Sequence, residues 1–334
     1  MKKSSVLLCA AFLTASFSTA NFVLAAETPT AVSVASSGAV PTAAQVAERW
    51  RTYFQTLQNL PAWTYSSHMK LLEPSSQEPN APRKVVSDII VKFARNNKLF
   101  RREMRVRESD KAPFQTVIMT YNGQKFQQAV DNPQATDIAG HKVKKLMIQD
   151  TKPFPDDPTL STTLHFALTM PFLFLGKEGD DKPFTNLSKA TTWAALQKSI
   201  TKIEAATWNN RPGFTITMPR EKAEADPARF EIFMDSASGL PLNLKTIEEK
   251  TGALIGEMKI TKLHEATDKT PAFPLLIELN NTAKGGGQGT IEVDAKSLNL
   301  AGSPAPAAFK VTAAEVEIVI EGDNIVYSKY PLKK

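Results

Sequence analysis

Between residues 63 and 131 apolar and polar residues alternate with a period of two over several consecutive runs. Trp63, Tyr65, Met69 and Leu71 alternate with Thr64, Ser66, His68 and Lys70. Val85, Ile89, Val91 and Phe93 then share one parity, and Phe100, Met104 and Val106 share another. Successive side chains of a strand point to opposite faces, so this pattern predicts half-buried antiparallel strands. Asn96-Asn97 reads as a turn, and Asn122-Gly123 as a stronger one, because that pair supplies the positive φ angles of a tight hairpin.

Helical spacing appears in three places. Thr42 is a candidate N-cap with Gln45 in the capping-box position, and Val46, Trp50, Phe54 and Leu57 give the following helix one apolar side up to about Asn59. Leu160, Leu164, Ala167 and Leu168, then Phe172 to Leu175 after Pro171, predict two short apolar helices joined at the proline. Thr192 to Lys198 predicts one more short helix.

Alternation resumes after Ile200. Phe214, Ile216 and Met218 form one set, Phe230, Ile232 and Met234 another, and Asp235 to Gly239 reads as a hairpin loop. Further strands are predicted over 245–249, 257–264, 273–279 and 316–321, with Gly285-Gly286-Gly287 marking a turn. About eleven strands with grouped helices predict an α+β fold. Its centre is a large curved antiparallel sheet, an incomplete barrel, with an N-terminal helix and short central apolar helices over its concave face.

The N-terminus sets a compartment. Lys2 and Lys3 precede an apolar run from Val6 to Phe17, and small residues follow up to Ala25 and Ala26, the layout of a signal peptide cleaved after one of those alanines. Ser and Thr interrupt the run, which is shorter than a membrane span. The expected organisation is residues 1–26 as signal peptide, 27–41 as a flexible linker, and 42–334 as one domain. The sole cysteine, Cys9, lies in the leader, so the mature chain has neither disulfides nor thiol chemistry. The whole chain has 40 Lys and Arg against 34 Asp and Glu, two of the basic residues lying in the leader, and no long like-charge block. That footprint is too thin for nucleic-acid binding.

Candidate chemistry is sparse. The four histidines, His68, His141, His165 and His264, lack metal-ligand spacing, and no cofactor is expected. Asp156-Asp157 and Asp180-Asp181 read as solvated loop acids beside proline or glycine. The inward parity of the strands is rich in Phe and Met. Phe100, Met104, Phe126, Phe214, Met218, Phe230 and Met234, with Leu164, Leu168 and Phe172 from the central helices, are the candidate lining of an apolar cavity. Ordinary core packing is the alternative. Arg101, Arg105 and Arg107 share the opposite parity with Glu103, as either a solvated face or a docking patch for an acidic partner or anionic headgroups. Arg102 falls among the inward residues, where a charge must reach water or find a partner.

Val91 to Phe100 resembles the strand-turn-strand signature of the periplasmic outer-membrane lipoprotein carriers, the lipoprotein-sorting superfamily. Tyr121-Asn122-Gly123-Gln124-Lys125-Phe126 is similar to that family's Asp-Gly-Lys hairpin. Phe230 to Asp235, followed by Ser238-Gly239-Leu240-Pro241-Leu242, resembles its later Gly-Leu-Pro hairpin. The resemblance covers about residues 42–265 and leaves an extension from about Thr270. It implies a half-barrel whose greasy face, under helical lids, receives an acyl chain or lipoprotein, without catalysis and in the periplasm. Asn96-Asn97 stand where the carriers have Arg-Pro, and Arg95 lies one place before the position of their lid-holding arginine. The other reading is an envelope module with a self-filled core and a protein partner on its basic face.

Overall fold

A computed structural model describes residues 39–60, 62–74, 82–94, 99–107, 112–122, 126–131, 145–150, 172, 190–220, 227–267, 270–281, 287–300, 302, 304–309, 311, 316–321 and 324–329. Helix α1 spans Ala43–Asn59 and α2 spans Ala190–Ser199. The strands are β1 (Ala62–Pro74), β2 (Pro82–Ala94), β3 (Leu99–Arg107), β4 (Gln115–Asn122), β5 (Phe126–Asp131), β6 (Lys145–Asp150), β7 (Lys202–Trp208) and β8 (Arg211–Arg220). They continue as β9 (Ala228–Asp235), β10 (Pro241–Glu248), β11 (Leu254–His264), β12 (Phe273–Asn281), β13 (Gln288–Val293), β14 (Ile318–Glu321) and β15 (Asn324–Ser328).

All fifteen strands among the described residues join one sheet, in the order β15-β14-β6-β5-β4-β3-β2-β1-β13-β12-β11-β10-β9-β8-β7. Every neighbouring pair is antiparallel except β14 with β6, which runs parallel. Among the described residues β15 and β7 end the sheet without pairing each other, so the barrel is incomplete, and the α+β expectation holds. β6, β13 and β15 were not read from the sequence and extend the sheet. Two hairpin expectations are met in outline: β4 pairs β5 across the Asn122-Gly123 region, and β9 pairs β10 across Asp235 to Gly239. Gly239 adopts φ 71° there, in the left-handed region where glycine carries no Cβ penalty. The β7–β8 turn uses Asn209 and Asn210 with φ 47° and 60°, as a two-residue hairpin of matching twist requires.

Register fixes the two faces. On β1 to β3, Trp63, Phe93 and Phe100 form one cross-strand row, and Tyr65, Val91 and Arg102 the next. On β8 and β9, Phe214 pairs Met234 and Met218 pairs Phe230. The predicted inward parities therefore do share a face. Helix α1 lies on it, begun by the expected capping box: the Thr42 N–H donates to Gln45 Oε1 at 2.8 Å, and the Gln45 N–H donates to Thr42 Oγ1 at 3.3 Å. Val46, Trp50 and Phe54 are buried beneath it. The expected central apolar helices, including Leu164 and Leu168, lie outside the described residues, Phe172 excepted.

The C-terminal stretch crosses the outer face. Asn299 bridges to Thr64 on β1, and the 3-10 turn Pro306–Phe309 buries Phe309 against Ala62 and Leu99. Val311 and Val316 then cover Ala129, Ile118 and Val319. The Val311 N–H donates to Gln127 Oε1 at 3.4 Å, which also accepts from the Thr120 hydroxyl at 3.3 Å. β14 then pairs β6 in parallel, with Val319 opposite Met147.

Candidate functional site

One half of the inner face is sealed by an aromatic plug. Phe172 is fully buried, stacks on Tyr53 at 5.5 Å between ring centroids, and meets Phe54 at 4.5 Å and Trp50 edge-on at 6.2 Å. Trp193 of α2 packs on Phe54 at 5.8 Å. Backbone carbonyls of the sheet's connections anchor the plug: Trp50 Nε1 donates to the Gly239 carbonyl at 3.1 Å, and the Tyr53 hydroxyl to the Ala272 carbonyl at 3.0 Å. Burial drives the Tyr53 phenol well above its ordinary pKa, so it stays a donor. Phe214, Met218 and Met234 are buried in the same cluster, and Phe230 packs partly buried at its margin.

The inner face of β3, β4 and β5 differs. Phe100, Val117 and Tyr121 are buried, but Met104, Val106, Met119, Gln128 and Val130 are only half-buried. Residues on this side are not closed over to the degree seen under α1. Phe126 belongs to this region by its pairing with Tyr121, but its side chain lies outside the described residues.

Arg102 sits in the middle of this face. It is 4% exposed, between Val91 and Met119 in its cross-strand row. Among the described residues its one polar contact is Nη2 to the thioether of Met104 at 3.7 Å, a weak acceptor, and its Nε has no hydrogen-bond partner. Burial pushes the guanidinium below its ordinary pKa, with Tyr65 acting the other way, but an arginine remains charged at neutral pH. The sequence placed this charge on the apolar side. The structure shows that it neither reaches water nor meets an acid among the described residues. Ser87 lies on the same face, opposite Val106, fully buried with an unpartnered hydroxyl. Sequence reading passed over it, although it is the polar break in the inward run Val85 to Phe93.

The three other arginines of β3 share the outer face. Arg101 forms an ion pair with Glu103 two residues on, and Arg105 and Arg107 stand over the Phe114 ring at 4.8 and 5.0 Å. Beside them His68 Nδ1 meets Asp88 Oδ1 at 2.6 Å across β1 and β2. This face is mixed in charge. Among the described residues no group of three or more His, Cys, Asp or Glu is placed to hold a metal, and no helix is long and apolar enough to cross a membrane.

No family model matches the chain, and no curated protein matches it in sequence. Solved structures do match. A DUF1329 family protein from Desulfovibrio piger is 10% identical, with 81% of this chain and 98% of that one covered at a TM-score of 0.40. An outer membrane lipoprotein-sorting protein domain from Vibrio parahaemolyticus is 11% identical, with 80% and 97% covered at 0.37. A LolA superfamily protein from Nitrosomonas europaea is 10% identical, with 81% and 98% covered at 0.36.

Proposed function

We propose that this chain is an exported, non-enzymatic protein of the bacterial periplasm. It would hold an acyl chain, free or carried by a lipoprotein, against the inner face of its half-barrel. The leader at residues 1–26, the linker at 27–41 and a single domain over 42–334 belong to this reading. The observation that carries it is the half-buried apolar surface of Met104, Val106, Met119 and Val130, which continues the inner face beyond the aromatic plug. Methionine adapts to ligands of varied shape, and acyl chains need no directional contacts. Purification from a periplasmic extract without detergent, followed by mass spectrometry of extracted lipid, tests it. An acyl-bearing molecule should co-purify in near-equimolar amount and rebind after delipidation, and a mature N-terminus at residue 26 or 27 should accompany it. A chain that carries no lipid and rebinds none is not an acyl carrier.

The plug favours a second reading. Trp50, Phe54, Phe172 and Trp193 fill part of the concavity with the chain's own side chains. On that reading the molecule is an interaction module whose partner docks on the outer face at Arg101, Arg105 and Arg107. Arg105→Glu with Arg107→Glu should then abolish capture of a defined envelope partner while leaving the far-UV circular dichroism unchanged. An unaltered complex counts against it.

A further inference from the structure

A charge buried without a counter-charge costs several kcal/mol. A methionine or leucine at position 102 would fit between Val91 and Met119 without that cost. Arg102 nonetheless lies buried on the inner face of β3, with Met104 and Met119 half-buried beside it. Its guanidinium extends along β3 towards Met104, the direction in which the unpartnered Ser87 hydroxyl lies one cross-strand row further on. A fixed cation without an acidic partner and a hydroxyl without a hydrogen-bond partner among the described residues, set in a largely apolar surface, complement an amphiphile with an acidic head.

We propose that the ligand is an anionic amphiphile whose carboxylate or phosphate pairs with Arg102 and accepts from Ser87, while its hydrocarbon chain lies over Met104, Met119 and Val130. This rests on the acyl-binding reading and narrows it to ligands with an acidic headgroup. The headgroup supplies the missing counter-charge and the guanidinium presents a planar fork of donors to it, a geometry matched by carboxylate and phosphate alike. A neutral acyl chain would leave the buried charge as costly as before.

Titration calorimetry of the delipidated full chain with hexadecanoate, hexadecyl phosphate and hexadecanol separates the possibilities, since these differ only in the headgroup. The wild type should bind at least one of the acids about tenfold to a hundredfold more tightly than the alcohol, the span expected of a charge-assisted hydrogen bond. The tighter of the two acids identifies the headgroup as carboxylate or phosphate. Arg102→Met should lower affinity for the acid to that for the alcohol and leave the alcohol's unchanged, and Arg102→Lys should keep part of the preference. The methionine variant should melt no lower than the wild type, because it removes an unpaired buried charge, and the wild-type comparison stands even without it. Equal affinity for acids and alcohol, or a preference that survives Arg102→Met, overturns the role of Arg102 and leaves the acyl-binding reading in place. Failure of all three to bind overturns both.

Discussion

Asp235 ties the start of β8 to the β9–β10 hairpin through one carboxylate. Arg211 Nε donates to it at 3.0 Å and Arg211 Nη2 at 3.3 Å, and the Ser238 N–H and hydroxyl donate at 2.8 and 2.7 Å. The same guanidinium reaches Glu265 at 2.8 Å, which holds the Arg211 proton more tightly than usual. Burial alone would raise the Asp235 pKa, but the hydrogen bonds from Arg211 and Ser238 outweigh it and hold the carboxyl below its ordinary range. A depressed folded pKa gives stability that is fully present above the unfolded value of about 3.9 and is lost as pH falls through the folded value. Asp235→Asn should therefore lose about 2–3 kcal/mol at neutral pH, because Arg211 retains Glu265 when its buried partner goes. Urea unfolding from about pH 7 down to about pH 3 should show the gap to wild type narrowing as the acid is reached.

At the scale of elements, the strap at Pro306–Phe309 covers an outer face that would otherwise expose Ala62 and Leu99. Phe309→Ala should cost about 3–5 kcal/mol, the range for a fully buried aromatic, measured by thermal or chemical unfolding. Increased amide exchange should concentrate in β1 and β3, the strands beneath it. Elements with a clean period were legible in the sequence: α1 through its capping box and Trp50–Phe54 stripe, and β8 and β9 through Phe214–Met218 and Phe230–Met234. The strap was not legible, because Pro306–Phe309 has neither helical nor strand periodicity and contacts partners more than 200 residues earlier. β13 was hidden for a related reason: Gly289 sits where any Cβ would press on Leu71, and glycine weakens a strand pattern. The candidate site was half legible. Parity placed Arg102 inward, but its lack of an acidic partner among the described residues depends on which side chains meet across strands, and no local pattern carries that.

For the whole molecule, the last residues close a side of the sheet. β14 covers β6, and β15 becomes the new edge. A chain ending at residue 300 would lose the strap and leave β6 with unpaired backbone donors and acceptors, a template for pairing with other molecules. Such a truncation should sediment as oligomers or aggregates, while the full chain stays monodisperse. Light scattering at matched concentration decides between them. The plug and the sheet half beneath it should survive better, because α1 is anchored to Gly239 and Ala272 on strand connections that the truncation leaves intact.

β1 has two neighbours, β2 immediately after it and β13 near the far end of the chain. A ribosome delivers these three strands in order, so β1 and β2 must wait through the synthesis of most of the molecule before Met69 can meet Ile291. Until then the growing chain carries an open strand edge and uncovered apolar residues, the condition in which nascent proteins aggregate or are held by chaperones. Pairing at the centre of the sheet therefore closes a long loop, and refolding should be slow compared with helical proteins of equal length.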